Sequence, residues 1–325
     1  MQEDPAAQAS HGSAHWTIAD VERETGIGKN TLRVWERRYG FPSPARDARG
    51  ERLYDEHQLA QLRLIRRLLD TGHRPHQVVG LPLAALQARA QQGMNPTPST
   101  ARLRRQPSDA PADLTPWLMQ LRQNQTPRLR AALRAAVREQ GLAAVIETLV
   151  APLCVAVGQA WAQGELSVYQ EHSFTEAVQT VLREAIAQVE AAAAGASGSP
   201  RVLLTTPPGE LHQLGLLMAE CFFALEGCDR WSLGVSTPLA DIAEAAQRLQ
   251  VDVVALSCSA RLRRREVVEP VTQLRQRLPA RVELWVGGAG AARHARALPP
   301  PVVMLRQAAD VAAEVRRWRQ RRHLR

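Results

Sequence analysis

The segment GELHQLG, residues 209–215, sets a carboxylate, an imidazole and a glycine at Glu210, His212 and Gly215. A histidine in a loop at a sheet edge can extend one ring nitrogen toward a metal. A carboxylate two residues earlier can hold the other ring nitrogen, which fixes the tautomer and strengthens the ligand. A glycine three residues later lets a bulky group pass close to the backbone. Taken alone, the pattern also describes an exposed loop histidine with no ligand. A second group lies in WAQGELSVYQEH, residues 161–172, where Trp161 is followed after nine residues by Glu171 and His172. A wide aromatic face beside a Glu–His pair can cover a flat cofactor. The same residues also suit a buried tryptophan with a surface Glu–His pair.

The third group is cationic. Arg33, Arg37 and Arg38 recur at helical spacing in TLRVWERRYG, and Arg46, Arg49 and Arg52 follow around Gly50, just before Tyr54. Arginine reaches both base edges and phosphates, as a recognition helix requires. Arginines also solvate helix faces, and a single such cluster does not decide between the two. The run RLRRR at 261–265 can meet a cofactor phosphate or DNA, although a solvated loop is the simpler reading. The last stretch, RRWRQRRHLR, reads as the solvated end of a helix.

The elements that must hold these groups follow from the apolar pattern. Short apolar runs at 202–206, 232–236, 251–257, 282–288 and 302–305 alternate with helical segments, which predicts a doubly wound parallel sheet. Ligands of such sheets sit at the carboxyl ends of the strands. His212 then follows the first strand, Ser257 ends the third, and Gly287–Gly288 ends the fourth, all on one edge. Upstream, Arg128–Glu139, Ala143–Gln163 and Val168–Ala194 are amphipathic helices with short breaks, the pattern of an antiparallel bundle. Near the start, Ile18, Val21 and Ile27 form the core face of a helix–turn–helix with Gly26 in its turn. Asn30 and Thr31 start the second helix, Pro42 and Pro44 end it, and a hairpin wing turns at Gly50. Asp55 then caps a helix over Glu56–Leu69, and Trp35 reads as core.

These readings divide the chain into a disordered 1–14, a winged helix at 15–90 and a linker at 91–112. A helical bundle at 113–195 and an α/β domain at 199–325 follow, with a hinge across 191–200. The 325 residues are 45% hydrophobic with a formal net charge of +9, a balance that suits a polyanionic partner. Cys154, Cys221, Cys228 and Cys258 have no zinc spacing and read as reduced thiols. The N-terminus lacks the basic-then-apolar order of a signal peptide, and no apolar run reaches membrane-span length; both predict a cytoplasmic protein with no membrane partner. No phosphate loop or catalytic triad stands out, so an enzyme is not expected.

The order TLRVWERRYGFPSPAR…GERLY resembles the winged-helix domain of MerR-family regulators across about residues 15–85. The resemblance implies a homo-oligomer on double-stranded promoter DNA, with Arg33, Arg37, Arg38, Arg52 and Tyr54 at DNA-contacting positions. The set Glu210, His212, Gly215, Ser257 and Gly287–Gly288 resembles the cobalamin-binding domain of methionine synthase and base-off mutases. It implies His212 as lower cobalt ligand, Glu210 as its orienting partner, Ser257 as a hydrogen bond to the nucleotide tail and the glycine pair as a close-contact floor. Trp161 with Glu171 and His172 resembles the upper-face motif of the CarH/LitR-like light-sensing repressors, which combine all three modules in this order. The family implies a cytoplasmic repressor and photoreceptor. Adenosylcobalamin assembles it as a DNA-binding oligomer, a dimer or tetramer, and light releases it from DNA. Two positions depart from the pattern. Ser-x-Leu becomes Ser257-Cys258-Ser259, and the histidine that follows the motif tryptophan is Ala162. Two regulatory alternatives stay open: a cobalamin sensor that does not use light, or control by a protein partner. A corrinoid methyltransferase subunit is the alternative of another class, and the winged helix argues against it.

Overall fold

In the computed structural model, which describes residues 16–70, 73–92, 113–193 and 198–323, the first helix begins at a capping box. Strand β1 (Trp16–Thr17) leads into α1 (Ile18–Thr25); Thr17 Oγ1 accepts from the Asp20 amide, and the Asp20 carboxylate accepts from the Thr17 amide. Gly26, at φ 67°, ends α1 in the left-handed region that glycine tolerates. Helix α2 (Lys29–Tyr39) starts one residue before the expected Asn30, because Glu22 of α1 accepts from the Lys29 amide and no side-chain cap is needed. Strands β2 (Ala45–Arg46) and β3 (Arg52–Tyr54) form the wing, with β1 on the far side of β3. Asp47 Oδ1 holds its turn by accepting from the Arg49 and Glu51 amides. Asp55 caps α3 (Glu56–Asp70) through the Gln58 amide. The short α4 (Pro75–Val78) and α5 (Leu83–Gln92) close a core of Val21, Leu32, Trp35, Leu59, Ile65 and Leu86. Helix α5 takes up the first two residues of the expected linker; the remainder of that linker and the segment 1–14 lie outside the described residues.

These elements make one of two compact units. The second begins with α6 (Thr115–Arg122), a short helix not among those expected, and α7 (Thr126–Gln140). Then come α8 (Leu142–Val145), a π-helical turn at Ile146–Val150, α9 (Ala151–Ala162) and α10 (Val168–Ala192), which completes a four-helix bundle. The continuous stretch Leu142–Ala162 is long and apolar enough to cross a membrane by composition alone, contrary to the sequence expectation. Here Val145, Ile146, Leu149, Leu153 and Val157 of that stretch are buried in the bundle core.

The α/β part alternates β4 (Val202–Thr205), α11 (Leu214–Leu225), β5 (Arg230–Ser232), α12 (Leu239–Arg248), β6 (Val253–Ser257), α13 (Arg264–Arg277), β7 (Glu283–Gly287), α14 (Ala289–Arg293), β8 (Val303–Leu305) and α15 (Asp310–His323). All five strands are parallel, in the order β5-β4-β6-β7-β8. Alternate residues face opposite layers: Val202 and Leu204 pack toward α11 and α15, Leu203 toward α12 and α13. Strand β5 lies earlier than the expected 232–236, because Gly234 and Ser236 take positive φ and end the strand. The expected hinge does not separate bundle from sheet. One core cluster runs through Val178, Leu182 and Ile186 of α10 into Leu217, Cys221 and Phe222 of α11, so the long α10 welds the two parts together.

Candidate functional site

The strand order reverses direction between β4 and β6, which creates a crevice where the loops leave those strands on opposite sides of the sheet. The loop after β4 carries Glu210 and His212 into this position. Thr206 Oγ1 donates to the Glu210 carbonyl at 2.7 Å and accepts from the Ser236 amide, which fixes the loop. Glu210 is 1% exposed, yet its side chain is fully engaged. Oε1 lies 2.5 Å from His212 Nδ1 and accepts from the His212 amide, and Oε2 accepts from the Ser259 amide at 3.0 Å. Burial raises the Glu210 pKa, but the bonds from His212 and Ser259 outweigh it and hold the carboxyl at about 2. An ionised carboxylate only accepts, so Nδ1 of His212 donates to Glu210, and the lone pair of the neutral ring lies on Nε2. The His212 side chain is half exposed, which leaves that lone pair accessible.

Close packing at the glycine positions after the strands leaves no room for a side chain there. A Cβ at Gly215 would come within 3.1 Å of Ser257 Oγ. Gly287 pairs in register with Ser257, and a Cβ there would sit 3.3 Å from Leu305 Cβ. Gly288 has φ 95°, and its Cβ would lie 2.4 Å from the Cys258 carbonyl oxygen. Glu210, His212, Gly215, Ser257, Gly287 and Gly288 therefore meet at one sheet edge, as expected. The departure at Ser257-Cys258-Ser259 supplies a contact that the sequence did not reveal. The Ser259 amide helps to hold Glu210, and its hydroxyl is 3.3 Å from His212 Nδ1. Gly290 was also missed; its Cβ would lie 2.2 Å from the Ser259 carbonyl oxygen. The signal for both was the dense run of small residues in SCSA and GGAG.

Arg261, expected in a solvated loop, lies over the Trp161 ring, 5.1 Å from its centre. The tripeptide Ser259–Arg261 thus touches His212 at one end and the bundle tryptophan at the other. Glu171 accepts from Thr175 Oγ1 at 3.0 Å and adds to the upward push of burial on the Cys154 thiol, which reaches about 12. His172 is exposed and stands 3.6 Å from Glu171. Glu171 and His172 meet each other on α10, while Trp161 at the end of α9 meets Arg261. Among the described residues no three His, Cys, Asp or Glu side chains cluster as a metal site. A lone imidazole, half exposed and oriented by a buried carboxylate, fits a metal that arrives with its other ligands already in place.

On α2, Arg33, Arg37 and Arg38 are exposed, as a groove-reading face requires. The wing differs from expectation. Arg52 Nε donates to Glu36 at 2.8 Å, and Tyr54 is fully buried, its hydroxyl without a partner among the described residues. Residues two apart on a strand share a face: Tyr54 enters the core with Val21, Leu32 and Trp35, and Arg52 on the same face is drawn to Glu36 of α2. Arg46 and Arg49 carry the exposed charge of the hairpin.

Comparisons with known proteins agree with this layout. Residues 16–81 match the MerR HTH family regulatory protein, and residues 119–185 and 200–316 each match a B12 binding domain. The chain is 30% identical to the HTH-type transcriptional repressor CarH of Myxococcus xanthus, over 83% of this chain and 87% of the relative. It is also 30% identical to the HTH-type transcriptional repressor CarA of the same organism, over 86% and 89%. Among solved structures, the monomethylamine corrinoid protein of Methanosarcina barkeri superposes with a TM-score of 0.48 at 15% identity, over 60% of this chain and 93% of that one.

Proposed function

Because the chain belongs to the family of MerR-type, cobalamin-binding transcriptional regulators that includes the repressors CarH and CarA, we propose that it is a cytoplasmic repressor whose oligomeric state and hold on promoter DNA are set by adenosylcobalamin and by light. His212 Nε2 would hold the cobalt. Glu210 fixes its tautomer and orientation, Ser257 receives the nucleotide tail, and Gly215, Gly287 and Gly288 leave room for it. Trp161, Glu171 and His172 cover the upper face, and Arg33, Arg37 and Arg38 hold DNA. When bound, the cofactor supplies a cobalt–carbon bond that light breaks. The protein responds by a population shift: a ligand wedged against both bundle and sheet favours one assembly, and loss of its upper group withdraws that preference.

The observation that carries this reading is the 2.5 Å contact between buried Glu210 and half-exposed His212 at the point where the sheet reverses. A second reading rests on Ala162, which ends α9 directly after Trp161. Without an imidazole there, the chain would sense the cofactor without a response to light. The test is an absorption spectrum of the protein mixed with adenosylcobalamin in the dark, desalted, and read again after illumination. The sedimented mass is followed in parallel. Retention lost in His212→Ala, with a light-dependent change in mass, supports the first reading. Retention with no change in mass supports the second. No retention overturns both.

A further inference from the structure

A cavity of about 610 Å³ opens beside α13 and α14, lined by Arg264, Arg293, His294, Arg296, Met304 and Arg306 among others. Four of these are arginines, and no lining residue is acidic. None of the four forms an ion pair among the described residues. The nearby Asp310 carboxylate is occupied by the Arg306 and Gln307 amides. Arg293 donates through Nη1 to the Ala260 carbonyl at 3.2 Å, which steadies one guanidinium in place. Burial, with the charges of Arg293 and Arg264, pushes the His294 pKa below its ordinary value.

We propose that this cavity binds a small molecule bearing two or more phosphate groups, gripped by Arg264, Arg293, Arg296 and Arg306. Guanidinium forks match phosphate oxygens two at a time, and four forks offer more donors than one phosphate group accepts well. The volume lies in the range of small-ligand sites. A concave pocket favours a compact anion over duplex DNA, which needs an extended ridge along its backbone. The lining comes from the start of α13, from α14 and the turn after it, and from the end of β8; it holds no residue of the Glu210–His212 loop, although Arg293 reaches the Ala260 carbonyl beside that site.

The test is calorimetric titration of the full-length, cofactor-free protein with inorganic tripolyphosphate and with ATP. The same titration is run on the double variant Arg296→Ala/Arg306→Ala and on Arg316→Ala/Arg317→Ala as a charge-matched control. The expected result is one site per chain for at least one probe, weakened at least tenfold in the first variant and unchanged in the second. The targeted arginines are exposed and unpaired, so circular dichroism should match the parent. Equal weakening in both variants would reduce the effect to general basicity and overturn the proposal. So would no binding at millimolar concentrations.

Discussion

Arg261 lies over the ring of Trp161, and this contact ties the loop after β6 to the end of α9. The guanidinium covers a face that a flat ligand would need. Opening an exposed cation–π contact costs about 0.5–1 kcal/mol. Arg261→Ala removes that cost, so adenosylcobalamin should bind roughly two- to fivefold tighter in an absorbance titration. Weaker binding would mean that Arg261 swings over to grip the cofactor instead of competing with it.

Glu210→Gln keeps the size of the side chain but loses its charge. An amide cannot accept from His212 Nδ1, the His212 amide and the Ser259 amide with the strength of a carboxylate. Loss of such a ligand-orienting partner typically weakens metal binding about 10- to 100-fold. Ser259→Ala should change less, because it leaves in place the bond from the Ser259 backbone amide to Glu210. Cofactor retained after desalting, measured on both variants, checks the contrast. Equal losses would show that the Ser259 hydroxyl matters as much as the carboxylate.

The parallel sheet was legible because buried strands leave short apolar runs, as Val253–Ser257 and Glu283–Gly287 do. The edge strand β5 was misplaced because Arg230, Trp231 and Ser232 are only half covered and carry no such run. His212 was legible because its partner Glu210 is close in sequence. Arg261 was not, since its contact with Trp161 spans 100 residues and depends on how α10 packs on the sheet. Tyr54 was misread for a related reason. Sequence placed it on the wing, but only the packing of β3 against the rest of the winged-helix core decides which face of that strand is buried.

That correction separates the roles of the wing and the helix. Arg33→Ala and Arg37→Ala should each weaken duplex binding by roughly 1–3 kcal/mol where the side chain reaches a base, or lower the salt slope by about 1 where it reaches a phosphate. Tyr54→Phe should leave DNA affinity unchanged. It should also melt no lower than the parent, because it deletes a buried hydroxyl that has no partner among the described residues. Fluorescence anisotropy with a labelled duplex across a salt series, alongside thermal melts, reads both quantities. A large loss of affinity in Tyr54→Phe would restore the hydroxyl to the interface.

Glu220 on α11 offers a test of how α10 and the sheet are joined. Burial raises its pKa, and Arg183 of α10 and Arg230 of β5 pull it back without fully offsetting the rise. A carboxyl whose folded pKa lies above its unfolded value gives stability that is fully present below the unfolded pKa. That stability is lost as pH rises through the folded pKa. At neutral pH the ionised side chain is therefore a net burden on the fold. Glu220→Gln lifts that burden, and its carbonyl can still accept a hydrogen bond from Ser232. The variant should melt above the parent at pH 7, and the gap should close as pH falls below the ordinary glutamate value of 4.5. A parent that melts higher at pH 7 would mean that the Arg183 and Arg230 attractions exceed the cost of burial, making the Glu220 cluster a net clamp between bundle and sheet.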